Sequence, residues 1–239
     1  RRNFAGRKVA TWLMILPLAI PTYVFAHIYT ILFEEDGWIG KLWLGVFGDS
    51  VAIPDLYSVG GVTFILFIAG FLYVFILVRS ELETSNRRLE EAARIQGLSP
   101  FAVFWRVNLP FLRPSIAAGL SLVGLHVLSD FGAVSILRYQ TFTLSIYLQM
   151  SGRFDYQGAA GLSMVLVLLS FSFLIFERWS RSRQRYYATG TQSRRVTLRK
   201  ASMFEQCLIW SWLGLITLFA FALPMLWMLD WSLQAWQQD

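Results

Sequence analysis

Two hundred and thirty-nine residues, 56% of them hydrophobic, 16% aromatic and only 15% charged, make a chain too apolar for a water-soluble domain. The same composition excludes a disordered segment, a collagen, a coiled coil and a secreted disulfide scaffold, and the single cysteine, Cys207, has no partner for an internal disulfide. The formal net charge of +6 is spread very unevenly, and its distribution says more than its size.

In chain order, five segments read as membrane-spanning helices: Val9 to Phe33, Val59 to Val78, Ser115 to Leu137, Gly158 to Phe176 and Gln206 to Leu229. Each has about the 20 apolar residues that a helix needs to cross a hydrocarbon layer roughly 30 Å thick. Together they carry one charged side chain, Asp130. They are continuously apolar, whereas a lipid-facing barrel strand alternates over about 10 residues, so helices are expected. Pro17, Pro21 and Pro224 interrupt spans and predict kinks whose freed backbone groups are satisfied by neighbours. Ser115 with Gly119, and Ala117 with Ser121, are small pairs four apart, a spacing that lets two helices approach closely. Phe142, Ile146 and Met150 recur every four residues and predict a short helix at the outer interface.

Orientation follows from Lys and Arg, which cytoplasmic segments retain. The N-terminal tail carries four, the loop from Arg79 to Pro114 six, and the stretch from Glu177 to Glu205 eight; the two intervening loops hold only Lys41, Arg138 and Arg153. Five crossings from an inside N-terminus put the three basic stretches on one side, the cytoplasm. The positive charge is thereby explained by topology and anionic lipid, with no nucleic acid required. The chain starts at Arg1 and stops soon after its last span, which reads as the interior of a longer protein. Residues 1–179 form most of a first membrane unit, 180–204 a basic cytoplasmic linker, and 205–239 the opening span of a second unit.

The loop 79–114 is too long and too patterned for a tether. Residues 85–96 are rich in helix formers, with Leu89, Ala92, Ala93 and Gln96 on one face. Gly97 stops that helix, since glycine accepts the left-handed conformation that ends helices. Ser99 caps a second one with Pro100 at its first position, where the missing N–H costs nothing. Pro110 is expected to close it, and Phe101, Phe104, Trp105 and Val107 to hold it against the membrane domain.

Glu91-Ala92-Ala93, three residues, Gly97, nine residues, then Val107-Asn108-Leu109-Pro110 resembles the EAA signature of permease subunits of bacterial ABC importers; Val107 stands where isoleucine is usual. The resemblance implies an all-α transmembrane, type I ABC importer permease fold. It also implies that the first short helix is a coupling helix seated in a cytoplasmic ATPase subunit, with Glu91, Ala92, Ala93 and Gly97 at its core and Leu109 and Pro110 completing the signature. Leu16-Pro17-Leu18-Ala19-Ile20-Pro21-Thr22-Tyr23-Val24, Asn108 to Gly119 and Ser129 to Val134 further resemble ferric-iron permeases, which are fused tandem repeats; thiamine, phosphonate, polyamine and sulfate permeases are related alternatives. The implied partners are cytoplasmic ATP-binding subunits, a periplasmic substrate-binding protein, a second permease half in the same chain and the inner-membrane bilayer. No cofactor and no enzymatic step are expected, because the sequence has no G-x-x-x-x-G-K-[ST] phosphate loop and ATP is assigned to another subunit.

Within the spans, Asp130 is the notable group, because a carboxylate at bilayer depth is costly unless paired or hydrated. Two readings stand: it lines the translocation path and attracts a cation, or it anchors loop backbone beside Arg138. Tyr23, Tyr29, Glu34, Glu35 and Asp36 are oxygen-bearing residues near the outer face without a recognisable metal spacing, and His27 and His126 are isolated. A gradient-driven secondary transporter is the rival of a different class, resting on Asp130, His27 and His126 as coupling groups. An intramembrane enzyme lacks the motifs it would need.

Overall fold

The computed structural model describes residues 2–3, 6–84, 88–182, 199–200 and 202–238. Most of the predicted linker, residues 183–198 and 201, lies outside them. Among the described residues the regular structure is helical apart from a two-residue parallel pairing of Arg2–Asn3 with Arg199–Lys200. Its helices are α1 (Arg7–Ile15), α2 (Thr22–Leu32), α3 (Trp38–Phe47), α4 (Val59–Thr84), α5 (Arg88–Ile95), α6 (Pro100–Ser129), α7 (Gly132–Ile136), α8 (Phe142–Ser151), α9 (Tyr156–Ser182) and α10 (Met203–Trp236). Four of them, α4, α6, α9 and α10, contain stretches long and apolar enough to cross a membrane.

The predicted first span, Val9 to Phe33, is not one helix. It is α1 with a tight turn over Leu16–Ala19, then α2, and the two directions differ by 92°. The cause is the pair of prolines. Pro21 cannot donate to the carbonyl of Pro17, which instead accepts from Ile20 N–H at 3.0 Å. The residue before a proline is driven out of the helical region, and Ile20 is extended with ψ 117°.

The predicted third span is displaced. Pro110 does not close a loop helix: α6 runs unbroken from Pro100 through Pro110 and Pro114 to Ser129, where the chain turns at Asp130 into the separate helix α7. Continuity is achieved by a π turn over Phe104–Asn108, in which the Leu109 N–H reaches back to the Phe104 carbonyl. α10 uses the same device, with a π turn over Leu218–Ala222 ending two residues before Pro224. In both, the wider turn loops the chain out just ahead of a residue that has no N–H to give.

α4 and α6 pack so closely that a Cβ on Gly119 would lie 2.6 Å from the Val74 Cα. Ser115 on the same face donates to Glu81 Oε2 at 3.2 Å, while Ser121 satisfies its hydroxyl on the Ala117 carbonyl. The other side of α6 meets α9, where Gly124 faces the Phe173 ring. The buried core gathers Phe25, Ile28, Tyr29 and Leu32 of α2, Ile65 and Ile68 of α4, Val134 of α7 and Ala220 and Trp227 of α10. The second half of the broken helix thus packs against α3, α4, α7 and α10, while α9 closes on α6 and α8.

Candidate functional site

The loop between α4 and α6 is built from local backbone chemistry. Gly97 has φ +84°, and the Leu98 N–H bonds the Ala93 carbonyl at 3.2 Å while the Gly97 N–H bonds that of Arg94 at 2.9 Å, the paired bonds that end a helix at a left-handed residue. Two residues on, the Ser99 hydroxyl accepts from Ala102 N–H at 3.3 Å, with Pro100 beginning the helix. The two ends fix the angle between α5 and α6, and α5 folds back on the first turns of α6.

The signature residues divide by environment. Ala93 is 7% exposed, facing inward, whereas Ala92, Gly97 and Pro110 are exposed and Leu109 is half-buried. Glu91 lies on α5, and its side chain, like that of Leu89, falls outside the described ones. The expectation that Phe101, Phe104 and Trp105 are held against the membrane domain is corrected: Phe101 is 74% and Trp105 53% exposed, and Phe104 is exposed too. Val103 and Leu112 are the buried members of this stretch. Three prominent positions, Ile95 at 87% exposure with Phe101 and Trp105, thus present apolar surface around the turn.

At the other end of α6, Asp130 is 7% exposed and all its acceptors described here are occupied by this chain. Oδ1 accepts from Ala133 N–H at 2.9 Å in the first turn of α7, Oδ2 accepts from the Thr22 hydroxyl at 2.5 Å at the start of α2, and its carbonyl accepts from the Thr143 hydroxyl at 2.7 Å on α8. Of the two sequence readings, the anchoring one describes this geometry, with Ala133, Thr22 and Thr143 as partners. Sequence reasoning missed both threonines; Thr22 lies 108 positions from Asp130, and only its place just after Pro21 hints at a special role.

The outer-face oxygens do not converge on a metal. Tyr29 is fully buried and spends its hydroxyl on the Phe219 carbonyl, and Tyr23 is exposed. Glu34 and Glu35 border a cleft of about 720 Å³ with Asp49 and Asp55. Asp55 in turn holds the Tyr57 N–H at 2.8 Å. Among the described residues no group of three or more His, Cys, Asp or Glu side chains could hold a metal ion. The isolated histidines have aromatic neighbours: His27 meets Trp231 and His126 meets Tyr73, with ring centroids 5.6 and 5.5 Å apart.

Apolar spans joined by a capped helix–turn–helix loop are the architecture of an importer's membrane component, and the chain belongs to the family of binding-protein-dependent transport system inner membrane components, whose model matches residues 1–186. The fold is that of the type I ABC importer permeases. The chain is 31% identical over 233 residues to the Fe(3+)-transport system permease protein FbpB 2 of Haemophilus influenzae, an alignment covering 97% of this chain and 42% of that protein. It is 30% identical over 192 residues to a probable sulfate transport system permease protein cysT of Nephroselmis olivacea, covering 78% and 66% respectively. It is also 29% identical over 185 residues to the molybdenum transport system permease protein ModB of Haemophilus influenzae, covering 75% and 79%. The chain therefore spans less than half of the ferric relative and about two thirds of the sulfate one. Family membership sets aside the gradient-driven transporter as the class of this protein.

Proposed function

We propose that this chain is the substrate-conducting subunit of an ABC importer that carries ferric iron, with α5 as the element that receives force from a cytoplasmic ATPase subunit. The observation that carries the coupling reading is the exposed apolar surface of Ile95, Phe101 and Trp105 on a doubly capped turn continuous with the span α6. An apolar patch that its own chain leaves uncovered marks a surface that takes a partner, and the capped turn joins that patch directly to α6. Glu91, Ala92, Ala93 and Gly97 form the contact core in this reading, Leu109 and Pro110 complete the signature, and ATP is bound and hydrolysed on the other chain. A periplasmic binding protein delivers the substrate.

Iron is favoured because the ferric relative aligns through α10, while the sulfate and molybdenum relatives align over about three quarters of this chain. The same alignment, covering 42% of a longer protein, supports residues 1–179 as most of a first unit, 180–204 as a cytoplasmic linker and 205–239 as the opening of a second. Oxyanion transport is the second reading, resting on sulfate and molybdenum relatives of nearly equal identity.

The test is ATP hydrolysis by the full complex in proteoliposomes, with binding protein loaded with ferric iron, sulfate or molybdate. The expected result is stimulation by the ferric form alone, abolished by Glu91→Lys and Gly97→Pro in subunits that still assemble. Stimulation by an oxyanion form instead replaces the substrate, and coupled transport surviving both substitutions removes the loop assignment.

A further inference from the structure

α10 has a defect that the rest of the chain repairs. In its π turn the Leu223 N–H bonds the Leu218 carbonyl, whereas a regular helix would send it to Phe219. In the widened register of the turn the next N–H to reach Phe219 would be that of residue 224, five positions on, a proline with none to give. Pro224 also leaves the Ala220 carbonyl, four before it, without its regular donor. The Phe219 carbonyl is therefore left without a donor inside its own helix, in a segment apolar enough to lie in lipid. An unpaired backbone carbonyl there is costly. The Tyr29 hydroxyl donates to it from α2, 190 positions away. Tyr29 is 0% exposed, so no water or lipid competes for that hydroxyl.

Aromatic contacts flank the bond. Trp227, two turns beyond Phe219, meets Trp38 edge-on with centroids 5.0 Å apart, and Trp231, a turn further, meets His27. Such apolar contacts hold helices together in lipid without choosing among registers, because lipid tails are as apolar as the side chains they replace. A hydrogen bond to a single orphaned carbonyl does choose. Slipping α10 by one turn would present Tyr29 with a carbonyl that already has its N–H.

We propose that Tyr29 is a register-setting docking point for α10: its hydroxyl supplies the hydrogen bond that Pro224 withholds, and so seats this helix in one position on the broken helix α2. The surface formed by α2, α3 and the turn after α1 is then a receptor for one occupant, residues 203–238. α10 becomes a wall of the 1–179 unit, and whatever follows it is positioned by that seat. The inference does not depend on what is transported or on the coupling loop.

Because Pro224 causes the need, removing it should remove the dependence. In the full-length protein with Cys207→Ser, the pair His27→Cys and Trp231→Cys reports the register through a short bifunctional thiol reagent. Tyr29→Phe should lower the ratio of cross-linked to uncross-linked protein by about threefold, the size expected of one interhelical hydrogen bond in lipid. Adding Pro224→Ala, which restores an N–H able to reach the stranded carbonyl, should return it to the starting level. If Tyr29→Phe does not fold, recovery of a monodisperse, cross-linkable protein in the double variant carries the same meaning. An unchanged cross-link in Tyr29→Phe, or an equal loss with and without Pro224, overturns the proposal.

Discussion

A single carboxylate in an apolar span invites the assumption that it meets the substrate, yet Asp130 is engaged on every described side by backbone and hydroxyl donors. Its placement has a structural cause: α6 must end and α7 must begin at nearly the same residue, and a side-chain acceptor there takes the Ala133 N–H that the short helix cannot pair internally. Asp130→Ala removes both side-chain bonds at a buried site and should cost about 1–3 kcal/mol, read as a lowered thermal midpoint in detergent. Asp130→Asn keeps an oxygen for Ala133 and a polar partner for Thr22, and should stay within about 1 kcal/mol of the parent. The pair separates two roles, since an anchor tolerates asparagine in both stability and transport. A group that attracts a cation would lose transport in Asp130→Asn while the midpoint held.

At the scale of elements, the loop was legible and the spans only partly so. Gly97, Ser99 and Pro100 act on neighbours one to four positions away, so their identities predict the helix end and the helix start that the structure contains. The prolines at 17, 21, 110 and 224 announced a local weakness without saying how it would be resolved. One site breaks into two helices at 92° and two others widen into π turns, and the groups these breaks expose are met by distant partners, Asp130 at Thr22 and Tyr29 at Phe219, that no local pattern announces. The outward aromatic face of the loop escaped sequence reading for a related reason: an apolar stripe does not say whether its cover is in the same chain. The loop's geometry has its own test. Gly97 has open space around its Cα but φ +84°, so Gly97→Ala meets no atom and costs only the left-handed conformation, about 1–2 kcal/mol. Amide exchange across residues 88–98 should accelerate accordingly in Gly97→Ala and much less in Gly97→Asn, because asparagine tolerates that conformation. Equal protection in all three proteins would mean that the turn does not depend on this backbone angle.

For the whole molecule, charge and geometry reach the same arrangement by separate routes. Basic residues concentrate in the tail, the loop 79–114 and the stretch before α10, and the structure brings these three together. Arg7 and Arg79 share Glu83 at 3.4 and 3.0 Å, Arg2–Asn3 pairs with Arg199–Lys200, and Gly6 lies against Trp210 near the start of α10. These contacts owe nothing to the membrane potential or to anionic lipid, yet they gather on one face the segments that the positive-inside rule would keep in the cytoplasm. α3 and the acidic cleft behind it lie in a loop whose only basic residue is Lys41, across α4 from the signature loop. Cysteines introduced one at a time into the full chain, with Cys207→Ser and any other cysteine replaced, decide the orientation. Arg94→Cys samples the exposed face of α5, and Gly45→Cys sits on α3 where a side chain meets open space. A membrane-impermeant maleimide added to spheroplasts should label position 45 and leave 94 unreacted, and inverted vesicles should reverse the pattern. The opposite pattern would turn the molecule over and put the signature loop out of reach of any cytoplasmic ATPase. Labelling of both positions from one side would mean that α4, the one span between them, does not cross the bilayer.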